Sequence, residues 1–597
     1  MTAATMHDVL RARRASNPNN TAFTFLVDGE TEGPRLTYAD LDARARTIAA
    51  ALRERGLQPG DRALLLYPPG LDFIPAFFGC LYAGVIAVPS YPPQAGQASR
   101  TLPRLLAIID DADVSIVLAP SAVVASARTL RFTAVDWLAT DAHPVIPSDA
   151  ACPDASEASV ARDLLSLVPR DDTTDVSPDD IAFLQYTSGS TASPRGVMVT
   201  HANLLHNLAY ANHRAENDAE SVSVSWLPVI HDMGLIEGVL APIYNGYPAY
   251  LMAPASFLHR PASWLRAITR YRATTSGGPN FAYDLCVKKV SDEQRMALDL
   301  SAWRIAYNGA EPIRADTLDA FHARFRDAGF RWKSFFPVYG LAESTLLVST
   351  GGRDDEPVVR EADAESFSRG ILRTMRDVDA PSRTVVSSGH VGFGTNVLIV
   401  DPDTHERCAS GVVGEIWIVS PSVARGYWKR EDETSETFRA HLADGAGPFL
   451  RTGDLGVLSD GELFVTGRIK DVLIVRGLKH YPQDLELTVE RQHDVIRAGC
   501  SAAFSLDASD GEGVAVALEI DDRKLPDQPA ERDALLRELI GRVKQAVVEQ
   551  HGIVLSAVSV LPIGGLPKTS SGKLRRRACR AAFLDGSLPV ATVRTGT

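Results

Sequence analysis

One run of the chain has residue types suited to phosphate: Gln185-Tyr186-Thr187-Ser188-Gly189-Ser190-Thr191-Ala192-Ser193-Pro194-Arg195-Gly196. Thr187, Ser188, Ser190 and Thr191 offer hydroxyl donors. Gly189 lets backbone amides approach a ligand, and Arg195 adds a permanent cation. Successive amides turned inward would form an anion nest. The run is not a GxxxxGK[ST] loop, and even Ser571-Gly572-Lys573-Leu574 has Pro567 where the first glycine would stand. Taken alone, such a run reads as a surface turn.

Five further stretches share that ambiguity. His231-Asp232, after Ser225-Trp226-Leu227-Pro228, reads as a structural pair or as the mouth of a site for an anion or acyl group. Asn308-Gly309-Ala310-Glu311-Pro312 follows a strand-like run; it is a plain turn or a flat surface on which a purine stacks, at the strand end where open parallel sheets bind ligands. In Tyr339-Gly340-Leu341-Ala342-Glu343-Ser344, Glu343 is an N-capping acid or a magnesium ligand, because a carboxylate beside phosphates is repelled unless it holds a cation. Asp454 could accept hydrogen bonds from both ribose hydroxyls, and Arg468, at the other end of the same hairpin, could balance phosphate charge. Lys573 lies in a basic run that is either a solvated tail or a loop delivering a lysine.

These residues must be positioned by elements that composition bounds. With 597 residues, two or more domains are expected. Hydrophobic content of 45% and charged content of 23% are those of a globular protein. A net charge of −13 disfavours non-specific nucleic-acid binding. Six scattered cysteines without a CxxC argue against a zinc site or disulfide framework and suit a reducing cytosol, so a cytoplasmic location is expected. Met1 to Ser16 lacks the apolar core of a signal peptide. Ala63 to Pro93, interrupted by prolines and Asp72, is too broken for stable membrane insertion.

The alternation of short apolar runs with helical periodicity predicts strand–helix–strand units and a parallel sheet. Strands are expected at Arg62–Tyr67, Val85–Pro89, Ser115–Leu118, Ile181–Leu184, Ala249–Met252 and Arg304–Tyr307, with a strand-like run at Trp332–Phe336. Helices are expected at Asp72–Tyr82, Pro103–Ala112 with its proline in the first turn, Ala262–Tyr271 and Pro529–Gln550. From about Val385 the strands become dense, which predicts an antiparallel or barrel-like subdomain. A last boundary falls near Gly467-Arg468-Ile469-Lys470-Asp471.

In this order and at this spacing, the six stretches resemble the adenylate-forming superfamily of acyl-CoA synthetases, luciferases and peptide-synthetase adenylation domains, over about residues 7–585. Trp226-Leu227-Pro228 before His231-Asp232-Met233-Gly234-Leu235, Ser276-Gly277-Gly278-Pro279-Asn280-Phe281, Pro421 to Trp428 and His480-Tyr481-Pro482 resemble the fatty acyl-AMP ligases. Residues 351–390 resemble the insertion associated in those ligases with poor use of coenzyme A; by composition they are a charged, irregular loop. The chain departs from many relatives in Arg195, where they carry Lys, and in Ala342, where they carry Thr.

The resemblance implies an α/β fold: a large N-terminal domain, 1–469, of two parallel-type subdomains and a β-barrel-like one, and a small mobile α+β domain, 470–597. It implies ATP and Mg²⁺ as cofactors and a fatty acid as substrate. Thr187 to Thr191 and Arg195 would hold phosphates, with Mg²⁺ on Glu343. Gly309 to Pro312, Tyr339, Gly340, Ser344 and Arg468 would bind the nucleotide, with Asp454 at the ribose. Trp226, Met233, Gly277, Gly278, Asn280 and Phe281 would line the acyl pocket beside His231. Lys573 would be the catalytic lysine and Lys470 the hinge. An acyl carrier protein acting in trans would take the acyl group. The alternatives are an ordinary acyl-CoA synthetase and a catalytically silent binding protein. Chain length, carrier identity and oligomeric state are not encoded legibly.

Overall fold

The computed structural model describes residues 3–92, 98–129, 135–142, 176–187, 194–375, 381–476, 478–508, 511–568, 573–589 and 594–595. The apolar runs read as buried strands assemble one sheet in the order Asp136–Ala139, Ile116–Ala119, Arg62–Leu66, Ile86–Ser90, Ile181–Thr187, Arg195–Thr200. Its strands are parallel except the last, which runs back antiparallel from Arg195. Helix Phe73–Ala83 has no polar face and is buried on every side. Helix Tyr38–Glu54 packs beside it and starts at a Thr37–Asp40 capping box, which satisfies two of the orphan amides of the first turn.

A second sheet runs Leu347–Thr350, Phe335–Gly340, Ile305–Asn308, Thr275–Gly277, Ser223–Ser225, Ala249–Met252, Thr21–Leu26, Glu32–Thr37. It is parallel inside and antiparallel at both edges. The carboxyl ends of its inner strands present Trp226, Gly278 and Gly309 along one rim, where ligands bind in open α/β sheets.

Strands Asn396–Val400, Gly414–Val419, Leu450–Ser459 and Glu462–Arg468 form an antiparallel sheet. Its last strand is bridged at Glu462 to His390, and His390 to Thr350, which wraps the region onto the second sheet in a barrel-like manner. Beyond the short helical turn Ile469–Asp471, strands Ile496–Ala508, Gly511–Ile520 and Leu555–Leu561 pack with helices Pro482–Glu490 and Pro529–His551 around a core of their own. Among the described residues, no helix is long and apolar enough to cross a membrane.

Three expectations are corrected. Pro103 stands inside helix Ala98–Ala112 and not in its first turn, so the helix forgoes one internal hydrogen bond there. Trp332–Ser334 is a 3₁₀ turn, and the strand begins at Phe335; aromatic content alone does not distinguish the two. Residues 351–390 are more than a loop: strand Val359–Asp363, helix Ala364–Ser368 and strand Ser382–Val386 form a small ordered unit. The charged residues that mask the strands alternate with inward ones such as Ala362 and Val385.

Candidate active site

Thr187 ends one strand and Arg195 begins its antiparallel partner, directly opposite in register. Ser188, Gly189, Ser190 and Thr191 lie outside the described residues. The backbone of Gly426 to Trp428 is stitched onto this second strand: Met198 donates to the Gly426 carbonyl at 2.9 Å and Trp428 to the Gly196 carbonyl at 2.8 Å. This places the Arg195 guanidinium over the Tyr427 ring, 5.3 Å from its centroid, and against Glu433 at 2.7 Å. The Tyr427 hydroxyl donates to Glu343 Oε1 at 2.8 Å. A chain from Glu433 through Arg195 and Tyr427 therefore ends on Glu343. Neither Tyr427 nor Glu433 was among the residues expected in the site. Burial pushes the Glu343 carboxyl up, while the Tyr427 hydrogen bond and Arg468 pull it down.

The next cluster forms on the hairpin Leu450–Ser459 and Glu462–Arg468. Asp454 and Arg468 are paired across it, with Nε to Oδ1 at 2.9 Å. Tyr339, within strand Phe335–Gly340, donates its hydroxyl to Asp454 Oδ2 at 2.9 Å. Asp454 chiefly raises the Arg468 pKa, with Glu343 contributing, so the guanidinium stays charged. Gly309 follows strand Ile305–Asn308, and a side chain there would strike the Val338 carbonyl at 2.6 Å; only glycine lets the turn lie this close to the neighbouring strand. Ala310 adopts φ of 70°, a left-handed turn position. Gly340 is packed tightly against the Leu346 carbonyl, and Ser344 is buried.

Among the residues expected to line an acyl pocket, Trp226 stacks on Phe257 at 4.2 Å and meets Phe281 edge-on at 5.9 Å. Gly278 leaves room for the Trp226 ring, Gly277 for the Tyr307 ring, and Met233 packs against the same cluster. Asn280 is fully buried and acts as a tie: it donates to the Pro312 carbonyl at 2.9 Å and accepts from Asn308 and from the Arg314 amide. His231 precedes helix Asp232–Leu235, with its ring 6.0 Å from that of Tyr91. Burial brings its pKa down to about 4, opposed by Asp232, so it is a neutral imidazole at neutral pH.

Lys573 comes from the C-terminal segment yet stands in this cleft. Its side chain is exposed to solvent. The surrounding protein lowers its pKa; Asp232, Glu311 and Asp454 oppose that shift, and Arg468 adds to it. These four neighbours belong to the helix after His231, the Gly309–Pro312 turn and the Asp454 hairpin, so the charge of all three reaches one ammonium.

The first domain-sized match is decisive here: residues 10–428 fit the family model described as AMP-binding enzyme. The chain belongs to the AMP-binding, adenylate-forming enzymes. Residues 470–593 fit the AMP domain described as Disco-interacting protein 2-like. The chain is 42% identical to the medium-chain-fatty-acid–[acyl-carrier-protein] ligase JamA of Moorena producens, over 98% of this chain and 96% of that one. It is 37% identical to the long-chain-fatty-acid–AMP ligase FadD32 of Mycolicibacterium smegmatis, covering 95% and 92%. The fatty acyl-adenylate ligase of Legionella pneumophila, solved with acyl adenylate and pyrophosphate, superposes with a TM-score of 0.73 at 40% identity, covering 99% and 98%.

Within that family this chain is a fatty acyl-AMP ligase. It uses ATP to activate a fatty acid as acyl-AMP. Three arginines organise the C-terminal part of the ligase and its junction with the rest. Arg383, from the 351–390 unit, pairs with Asp484 at 3.0 Å and lies over Phe367 and Tyr481, at 4.1 and 4.3 Å from their ring centroids. Arg314, beside the Glu311 turn, loses to burial but is raised overall by Glu311, Glu490, Asp284 and Glu486. Arg576 binds Glu486 at 2.6 Å and Asp471 at 3.3 Å, which fastens the segment after Lys573 to the turn containing exposed Lys470.

Proposed function

We propose that the ligase drives attack of a fatty carboxylate on the α-phosphate of ATP with positioned positive charge, and passes the acyl group to the phosphopantetheine thiol of an acyl carrier protein. The observation that carries this reading is that Lys573, from the C-terminal segment, lies within electrostatic reach of Asp232, Glu311, Asp454 and Arg468 at once. A carboxylate is ionised at neutral pH and needs no general base. The obstacle is repulsion between two anions, so catalysis rests on orientation and electrostatics.

Thr187 to Thr191 and Arg195 grip the β- and γ-phosphates. The Gly309–Pro312 turn, Gly340 and Tyr339 frame adenine, with Ser344 at the nucleotide, and Asp454 accepts from the ribose hydroxyls while Arg468 stays charged above it. Lys573 bridges the acyl oxygen and the α-phosphate, beside the neutral His231. Glu343 fits a magnesium ion carried by the triphosphate: Tyr427 engages one carboxylate oxygen, and the other has no hydrogen bond among the described residues. Bound there, the cation would offset phosphate charge. Pyrophosphate then leaves, and acyl-AMP remains.

The small domain, 470–597, then turns about Lys470, withdrawing Lys573 and admitting the thiol. The 351–390 unit holds that domain through Arg383, which supports a carrier protein over free coenzyme A as acceptor. The names of relatives such as JamA point the same way. Mass spectrometry of products from ATP, Mg²⁺ and fatty acids, with coenzyme A or a phosphopantetheinylated carrier, tests it. Acyl-AMP and acyl-carrier are expected, and efficient acyl-CoA formation would favour an ordinary synthetase.

A further inference from the structure

Close in sequence to Met233, one of the residues expected to line the acyl pocket, stands a carboxyl group that the adenylation chemistry does not use. Glu237 lies four residues after Met233, in the widened π-helical turn Ile236–Leu240. Such turns re-aim a side chain out of helical register and are frequent at functional sites. Its neighbours Ile236, Gly238, Val239 and Leu240 are all buried, yet Glu237 keeps accessible surface. No hydrogen bond or ion pair reaches the carboxyl among the described residues, and burial raises its pKa to about 7.

Polar atoms converge around it. A side chain at Gly238 would lie 3.1 Å from the Ser225 hydroxyl, so this turn runs directly against the strand that ends beside Trp226. Tyr307, whose ring fills the space left by Gly277, approaches Ser225 and feels the Glu237 charge. Tyr247 also feels it, and its buried hydroxyl makes no well-formed hydrogen bond among the described residues, although Asn245 is near. The buried Trp226 Nε1, just after the strand that carries Ser225, also lacks a partner among the described residues. Buried polar groups are nearly always paired, so this set calls for a polar group from the ligand.

We propose that Glu237, with Tyr247 and Tyr307, binds a hydroxyl group carried on the hydrocarbon chain of the acyl substrate, making this ligase selective for hydroxylated fatty acids. The proposal rests on the fatty acid occupying the pocket beside Trp226 and Met233. A hydroxyl can donate to the ionised carboxylate or accept from the carboxylic acid and the tyrosines, whereas a plain alkyl chain leaves the Glu237 carboxyl and the Tyr247 hydroxyl unpaired.

The test measures kcat/KM by pyrophosphate release for positional hydroxy isomers of a saturated acid against the unsubstituted acid. The wild-type enzyme should prefer one isomer by about tenfold or more, as sites built to bond a hydroxyl do. Glu237→Leu should erase that preference while leaving turnover of the unsubstituted acid equal or higher, and Glu237→Gln should retain most of it. Wild-type preference for the plain acid over every isomer, or an unchanged ratio in Glu237→Leu, overturns the proposal alone. No turnover of any fatty acid overturns the underlying reading as well.

Discussion

The phenolic hydroxyl of Tyr427 donates to Glu343 at 2.8 Å, joining a carboxylate in the nucleotide cleft to a ring beneath Arg195. Burial raises the Glu343 pKa and this hydrogen bond lowers it. Activity that needs ionised Glu343 therefore falls as pH drops through its pKa. In Tyr427→Phe the pKa rises further, so the acidic limb of the kcat/KM profile should move to higher pH. A pH–rate profile with the limb unmoved would separate Glu343 from the chemistry.

Arg195 makes an ion pair with Glu433 and stacks on Tyr427, geometry that a lysine reproduces only as a point charge. Arg195→Lys should raise the KM for ATP several-fold with kcat less affected, and Arg195→Ala should do more. Steady-state kinetics with saturating fatty acid decide it; equal KM values in all three proteins would remove Arg195 from the phosphate site.

Lys573→Ala should lower pyrophosphate release on the order of a hundredfold or more, the effect of removing one preorganised charge from a reacting phosphate. ATP binding by calorimetry should persist. Near-normal release by this variant would end the catalytic assignment.

Arg383→Ala breaks the contact to Asp484 and uncovers Phe367 and Tyr481. Coenzyme A thioester formation should rise several-fold with acyl-AMP formation unchanged. No gain would refute a gating role for the 351–390 unit.

The N-terminal helix predicts a pH dependence of stability. His201 Nδ1 accepts the Met6 amide at 3.3 Å, and its pKa falls from 6.5 to about 3, chiefly by burial and next by His7. His7 falls to about 4 by burial, opposed by Asp8. Both folded values lie below the unfolded one, so the stability they contribute is full above about pH 6.5 and is lost as pH falls from there toward 3 to 4. The melting temperature should decline over that window and decline less in His201→Asn.

Much of this was legible because the strands are short apolar runs: Ala249–Met252 and helix Ala262–Tyr271 lie where periodicity places them. Asp454 and Arg468 were recognisable as two ends of one hairpin, but not that Tyr339 would complete the cluster from another sheet. Tyr427 and Glu433 were missed because what brings them to Glu343 and Arg195 is tertiary. They follow the Ser/Gly run by more than 200 residues, and only the backbone stitching at Gly196 and Met198 brings them to Arg195. The available signal was Arg425-Gly426-Tyr427-Trp428, an aromatic pair after a glycine at φ of 140°. Glu237 was hidden inside an apolar helical run, where a lone acid reads as a surface residue.

In the proposed transfer step, the Arg383 clasp would also set a threshold on who can receive the acyl group. Releasing it costs a fixed free energy, so the thiol-accepting orientation is populated only in proportion to that cost. An acceptor that touches the enzyme over a broad protein surface can repay the cost through contacts made only in the open orientation. A small thiol with little surface cannot, however reactive it is. Selection between acceptors would then reside in the enzyme's own conformational balance, far from the sulfur that attacks.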